Sequence, residues 1–350
     1  MISLYCTADS IGSTTGGGVV TRNELKALDE ISDTVHVISR SELSPGRFGL
    51  PQDPFMEDYI ACEMVENLLK TTSFDIAHFY AGCFSHTVRR LKMAGTKVTY
   101  TAAAHDKAES EAEHLKLGLG YNYPHMKDPL WKTYLSGYAS ANTVICPSSM
   151  SARLMSGWGC PSVAVVPHGV DIVEKPSPLP ANFAVGYLGQ PGVDKGLLYL
   201  FRAWKMCGFT DATLYVAGRD TDQLIGLVRG EGAGNVNLMG WVDSVDQLYD
   251  ATSVYIQPSV SEGFGIEILE AMARGRPVIA SSGAGGADVV VDGLTGFVVP
   301  PRDVEAISRR LKELKDDPAK LAKMGAAAKH ASGAYTWEMM RNLYKGVWAR

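Results

Sequence analysis

Short apolar, β-branched runs alternate with segments of helical periodicity along the whole chain, and that alternation leaves few architectures open. Six strand candidates lie in the first half, at 2–6, 34–39, 75–80, 97–102, 143–147 and 163–167. Six more lie in the second, at 183–189, 213–218, 236–240, 253–258, 277–281 and 297–300. Apolar strands separated by amphipathic helices imply parallel sheets covered on both faces, an α/β class fold. Between the halves, EKPSPLPAN (174–182) carries three prolines, which fix φ and interrupt both helix and strand. The expected division is therefore a Rossmann-like domain over 1–173, a linker over 174–182 and a second Rossmann-like domain over 183–334. Ligands of such sheets bind at the carboxyl ends of the strands, and two facing domains would leave a cleft between them. In the final segment, 335–350, Tyr335, Trp337, Met340, Leu343, Tyr344 and Trp348 recur near helical spacing. Such a stripe needs a surface to cover, and the first domain is the expected one.

Composition narrows the function classes. A formal net charge of -5 over 350 residues argues against broad nucleic-acid binding, which neutralises phosphates with lysine and arginine. The six cysteines are scattered without a C-x-x-C pair and read as reduced, mostly buried thiols. MISLYC enters a strand-like run at once, without a charged leader, and no apolar run reaches the roughly 18 residues of a membrane span. The expected location is cytoplasmic, with peripheral contact at the inner membrane face as a variant.

The stretch SEGFGIEILEAMARG (261–275) is the most informative motif. Glu262 and two glycines precede a run in which Ile268, Leu269, Met272 and Ala273 form an apolar face, so a helix is expected from Ile266. The first amides of a helix lack internal partners and carry partial positive charge, and nearby glycines let another molecule approach the backbone. Anions, commonly phosphates, are held in this way. Glu270 falls roughly 6–8 Å further along at about 1.5 Å per residue, so two carboxylates can reach different parts of one extended ligand. The competing reading makes Glu262 a partner of the helix dipole and Glu270 a solvated surface acid.

SEGFGIEILEAMARGRPVIA resembles the E-x(7)-E signature of retaining glycosyltransferases of the GT-B fold, specifically family 4. That resemblance implies two Rossmann-like parallel-sheet domains, the first for the acceptor and the second for a nucleotide-diphosphate sugar. It puts Glu262 on donor sugar hydroxyls, Glu270 on the ribose, and the amides around Phe264, Gly265 and Ile266 on the diphosphate. YLGQPGVDKG (187–196) resembles the family loop in which an arginine and a lysine grip the diphosphate. Lys195 matches the lysine, while Gln190 stands where the arginine is expected and brings no charge. TTGGGV (14–19) is neither a P-loop nor a complete G-x-G-x-x-G, since Thr21 takes the third glycine position. The corresponding family loop implies Gly17 and Gly18 at the donor, ahead of a helix beginning near Val19. NLMGWVDSVDQLY (237–249) resembles the base-reading loop, with backbone near Val242. TAAAHDKAES (101–110) follows a strand and resembles the segment whose histidine sits beside the anomeric carbon, here His105. VVPHGVDI resembles the close of the first domain, and His168 is expected in a turn.

The eight histidines form no H-E-x-x-H and no Cys/His zinc spacing, so no metal is expected, and no cofactor beyond the nucleotide sugar as co-substrate, UDP-, GDP- or ADP-linked. Asp220-Thr221-Asp222 matches a D-x-D metal pattern but follows a Rossmann-like strand, and it reads as a solvated loop. Ser148 and Ser149 lack the G-x-S-x-G elbow of a hydrolase. The acceptor, a glycan, a lipid-linked sugar or a small molecule, would meet loops carrying Arg47, Phe48, Lys127, Trp131 and Lys132, which also fit packed loops. Other readings open at this point are a nucleotide-sugar-binding protein with weak or no transfer, and a phosphorylase or epimerase of the same fold.

Overall fold

A computed structural model describes residues 1–8, 11, 16–44, 54–102, 104, 107–117, 129–189, 192–218, 226 and 230–350. All twelve expected strands are present, in two parallel six-stranded sheets. The first holds β1 (Ile2–Thr7), β2 (Thr34–Ile38), β3 (Ile76–Tyr80), β4 (Lys97–Thr101), β5 (Thr143–Cys146) and β6 (Val163–Val165), ordered β2-β1-β3-β4-β5-β6. The second holds β7 (Ala184–Leu188), β8 (Thr213–Ala217), β9 (Val236–Gly240), β10 (Val254–Gln257), β11 (Val278–Ser281) and β12 (Gly296–Val299), ordered β12-β11-β10-β7-β8-β9. β3, β10 and β11 are buried at every residue, which is why their sequences are mostly apolar and do not alternate with exposed polar residues. In β10, Val254 and Ile256 join one core and Tyr255 the other, the alternation expected of a strand with helices on both faces. Helices Leu197–Cys207 and Val304–Asp316 pack together over the first core, and Glu267–Ala273 against Pro318–Ser332 over the second.

The chain divides into two compact units. One comprises Met1–Ala104, Asn122–His168 and Trp337–Arg350; the other comprises His105–Tyr121 and Gly169–Thr336. Helix Lys107–Lys116 thus belongs with the second sheet, although a division at the proline linker assigns it to the first. Within the first unit, helix Trp337–Trp348 buries Trp337, Met340, Tyr344 and Trp348. Its seat is polar at the centre. Tyr344 and Tyr5 donate to the two oxygens of the fully buried Glu24 carboxylate at 2.7 and 2.8 Å. Trp348 Nε1 donates to Thr99 Oγ1 at 3.0 Å, and His78 lies edge-on to both Tyr344 and Trp348. A carboxylate can be buried here because two phenols replace the water it loses.

In the second unit the proline-rich linker is pinned rather than loose. The buried Arg276 donates to the Ser177 carbonyl at 3.1 Å, the Ser177 hydroxyl at 2.9 Å and the Pro178 carbonyl at 3.3 Å. Five guanidinium donors in a fixed fork suit this task, and burial lowers the Arg276 pKa.

Candidate active site

In the second sheet the strand order reverses between β7 and β10, the place where open α/β sheets bind ligands beyond the strand carboxyl ends. Lys195 follows β7 and Glu262 follows β10. The two loops are stitched together by backbone: Val260 N donates to the Asp194 carbonyl at 2.7 Å and Ser261 N to the same oxygen at 3.3 Å. Lys195 ends the short 3-10 turn Val193–Lys195, and Gly196 behind it has φ 69°. A Cβ at Gly196 would stand 2.0 Å from the Pro258 carbonyl oxygen, so only glycine lets the loops approach this closely. The result is an ion pair between the Lys195 ammonium and the Glu262 carboxylate, with side chains 27% and 18% exposed.

Backbone also fixes Glu262. Its N–H donates to the Gly283 carbonyl at 2.9 Å, and its carbonyl accepts from Gly285 N at 2.9 Å. Gly286 N then reaches the Phe264 carbonyl at 2.6 Å. The Phe264 side chain is buried in the core, so only its main chain faces chemistry. Gly265, at φ 85°, turns the chain into helix Glu267–Ala273, with Ile266 as its cap, one residue later than the sequence suggests. Ile268, Leu269 and Met272 are fully buried and hold that helix against the sheet.

Glu270 projects from the same helix and is half-buried. Burial, and then repulsion from Glu267, push its carboxyl up to about 7. The Tyr249 hydroxyl opposes this by donating to Glu270 Oε2 at 3.1 Å, as does the charge of Arg274. Arg274 is itself oriented by Asp246 at 2.6 Å and lies 4.9 Å over the Tyr249 ring. Val242 sits half-buried in the loop leading to helix Asp246–Asp250, which carries Tyr249. One element therefore joins the expected base loop to the expected ribose acid. A lysine, a carboxylate on it, and a second carboxylate one helix away form a row of groups suited to a phosphate followed by hydroxyls on either side.

Two family models match the chain: "Glycosyl transferases group 1" over residues 182–317 and "Glycosyltransferase Family 4" over residues 14–174. The chain belongs to the group 1, family 4 glycosyltransferases. A D-inositol 3-phosphate glycosyltransferase of Streptomyces avermitilis is 43% identical over 96 residues, which is 27% of this chain and 21% of that protein. Among solved structures, sucrose-phosphate synthase from Thermosynechococcus elongatus aligns with TM-score 0.77 at 20% identity, covering 99% of both chains. Anabaena HepE, in complex with UDP and glucose, aligns with TM-score 0.72 at 18% identity, covering 100% of this chain and 99% of that one. These likenesses show the GT-B fold. The matches to curated relatives span between about a fifth and a half of those proteins' own length.

Of the family residues expected from sequence, Lys195 and Glu262 meet directly, and Phe264, Gly265, Ile266 and Glu270 follow on the same turn and helix. Gly17 and Gly18 differ from expectation in placement. Helix Gly16–Asp29 begins three residues before Val19, so both glycines lie in its first turn and not in a loop ahead of it. Thr21 donates to the Gly18 carbonyl at 3.0 Å, a local bond that helps the turn close early. His168 is buried in the stretch without regular structure that follows β6, where no turn is formed, and burial lowers its pKa to about 4. His105 and Gln190 lie outside the described residues, as do Arg47, Phe48, Lys127, Asp220 and Asp222. Trp131 and Lys132 belong to helix Pro129–Ser140, where Lys132 is exposed. Sequence reading missed Tyr249 and Arg274, since nothing local marks a tyrosine whose partner stands 21 residues later.

Proposed function

We propose that the protein is a retaining, metal-independent hexosyltransferase that takes its sugar from a nucleotide diphosphate. The observation carrying this reading is the Lys195–Glu262 pair at the switch point of the second sheet, with Glu270 on the helix that follows. In a nucleotide sugar the diphosphate is bonded to the sugar at the anomeric carbon, so a phosphate-binding cation and a hydroxyl-binding carboxylate must be neighbours. The donor would enter by parting the pair: Lys195 turns to the diphosphate, Glu262 to sugar hydroxyls. As the glycosidic bond breaks, negative charge grows on the phosphate, where Lys195 and the amides near Gly265 stabilise it. Glu270, ionised, accepts the ribose hydroxyls, each such bond contributing on the order of 1.5–3 kcal/mol.

Among the described residues no further carboxylate beside Glu262 and Glu270 is assigned as a nucleophile, and we infer front-face substitution, the departing phosphate taking the acceptor proton. His105 is proposed beside the anomeric carbon, Val242 near the base, and Gly17 and Gly18 at the donor from the first unit. The acceptor, a glycan, a lipid-linked sugar or a small molecule, is assigned to the first unit. Relatives of this chain carry UDP, as in HepE, or are described as GDP-mannose-dependent, and either base is proposed here. Among the described residues no helix is long and apolar enough to cross a membrane. We place the reaction in the cytoplasm or at the inner membrane face.

A thermal-shift panel of UDP, GDP, ADP and their sugars tests the reading. A ligand at 100 times its dissociation constant stabilises by about 2.7 kcal/mol, so one base series should raise the melting temperature and the others should not. No response to any of them would overturn the donor assignment. Gln190, lacking the charge of the family arginine, favours a second reading, a nucleotide-sugar binder with little transfer. Donor binding without hydrolysis or transfer, even in a Gln190→Arg variant, would select it.

A further inference from the structure

Two short helices of the second unit meet at Glu270. On helix Glu267–Ala273 and its C-cap, Glu270 and Arg274 stand four residues apart. At that spacing a glutamate followed by a basic residue ordinarily forms an ion pair on one helical face, which here would occupy the Glu270 carboxylate. The two side chains are arranged otherwise. Arg274 gives its Nε to Asp246 Oδ1 at 2.6 Å and its Nη1 to the Glu270 backbone carbonyl at 3.1 Å. Its guanidinium lies 4.9 Å over the Tyr249 ring. The Glu270 carboxylate accepts at Oε2 from the Tyr249 hydroxyl, 3.1 Å away.

Both partners come from one element. Asp246 and Tyr249 lie three residues apart on helix Asp246–Asp250, and so on one face of it. Tyr249 is fully buried, and its hydroxyl also lies 3.2 Å from the Glu267 carbonyl, so it has one fixed position. Asp246 is anchored in turn. The Ser244 hydroxyl donates to its Oδ2 at 3.1 Å, and its own N–H donates to Ser244 Oγ at 3.2 Å. The Arg274 hydrogen bond holds the Asp246 carboxyl below its ordinary value, so Asp246 is ionised at neutral pH. With the Asp246 side chain 57% exposed, this ion pair adds little to stability, and its main consequence is where it puts the guanidinium.

We propose that Asp246 is a positioning residue for donor binding, diverting the Arg274 guanidinium from Glu270 so that this carboxylate stays open to the ribose hydroxyls. This rests on the ribose assignment of Glu270 above. The competing role is an ion pair that only fastens helix Asp246–Asp250 to its neighbour. The two roles differ in their dependence on Arg274. If Asp246 diverts, deleting Arg274 as well removes the competitor and restores binding. If it fastens, deleting both partners leaves the helix as loose as deleting one.

The test is calorimetry on the full chain with UDP and its 2′,3′-dideoxy analogue, or the guanine pair if the panel selects guanine. It is run at pH 8, above the Glu270 pKa of about 7. Asp246→Ala should weaken UDP about five- to tenfold, as the released guanidinium pairs with Glu270, and leave the dideoxy analogue within about twofold. Adding Arg274→Ala to Asp246→Ala should return UDP to within about twofold of the unaltered protein. Melting curves, and retained binding of the dideoxy analogue, check that the fold is intact. Unchanged UDP affinity in Asp246→Ala, equal losses for both ligands, or a loss that Arg274→Ala does not restore would overturn the proposal and leave the ribose assignment standing. An unaltered protein that binds UDP and the dideoxy analogue alike would overturn the ribose assignment and the proposal with it.

Discussion

Replacing Glu270 with glutamine separates the two consequences of burying that carboxyl. Its pKa of about 7, against an ordinary 4.5, means the folded protein holds a proton that the unfolded chain has released. A raised carboxyl pKa gives a stability contribution that is fully present below 4.5 and lost as pH rises through 7. At about 1.4 kcal/mol per unit, ionising Glu270 at pH 8 costs up to roughly 3 kcal/mol, less whatever the half-buried site regains from water. Glu270→Gln removes that cost and keeps an oxygen for the Tyr249 hydroxyl. Urea unfolding should therefore show the variant more stable at pH 8 by about 1–3 kcal/mol, and equal to the parent near pH 4.5. Binding should move the other way. If ribose hydroxyls bond to the ionised carboxylate, the parent should bind about tenfold more weakly at pH 6 than at pH 8. Glu270→Gln should bind weakly at both, by about ten- to a hundredfold, with a flat profile. The ligand should be the intact nucleotide sugar, whose phosphodiesters do not titrate in this range. A parent whose affinity is constant from pH 6 to 8, with a variant no more stable at pH 8, would refute the reasoning.

Two further substitutions probe the frame around the site. Gly196→Ala places a Cβ 2.0 Å from the Pro258 carbonyl at φ 69°, and should cost about 3–5 kcal/mol and displace Lys195; a melting temperature within a degree of the parent would show that the loops can part freely. Tyr344→Phe strips one phenol from the buried Glu24 and should cost roughly 1.5–3 kcal/mol, read from tryptophan fluorescence of Trp337 and Trp348 during urea unfolding. An unchanged midpoint would mean that water reaches Glu24 without penalty.

The fold was legible because β10 and β11, in the second sheet, are buried at every residue, so largely apolar runs such as VYIQ and VIAS stand out without alternation. The motif residues were legible for a related reason. Lys195, Gly196, Glu262 and Gly265 owe their places to backbone turns a few residues long, and short turns leave short signatures. What escaped depends on distance along the chain. Glu113 reads as one more acid on a charged helix, because Tyr199 and Arg302, its partners, come 86 and 189 residues later. Tyr249 and Glu24 are the same case, polar groups made buriable by partners that no local pattern announces. Gly17 and Gly18 mislead in the opposite sense: glycines suggest a loop, yet the helix continues back through them.

The most direct measurement is a crystal structure with the nucleotide sugar that the thermal panel selects. The account predicts the Lys195–Glu262 pair parted, with a diphosphate oxygen within hydrogen-bond reach of the Lys195 ammonium, sugar hydroxyls on Glu262 and the ribose on Glu270. A bound donor with that pair still closed, seated away from all three residues, would contradict it.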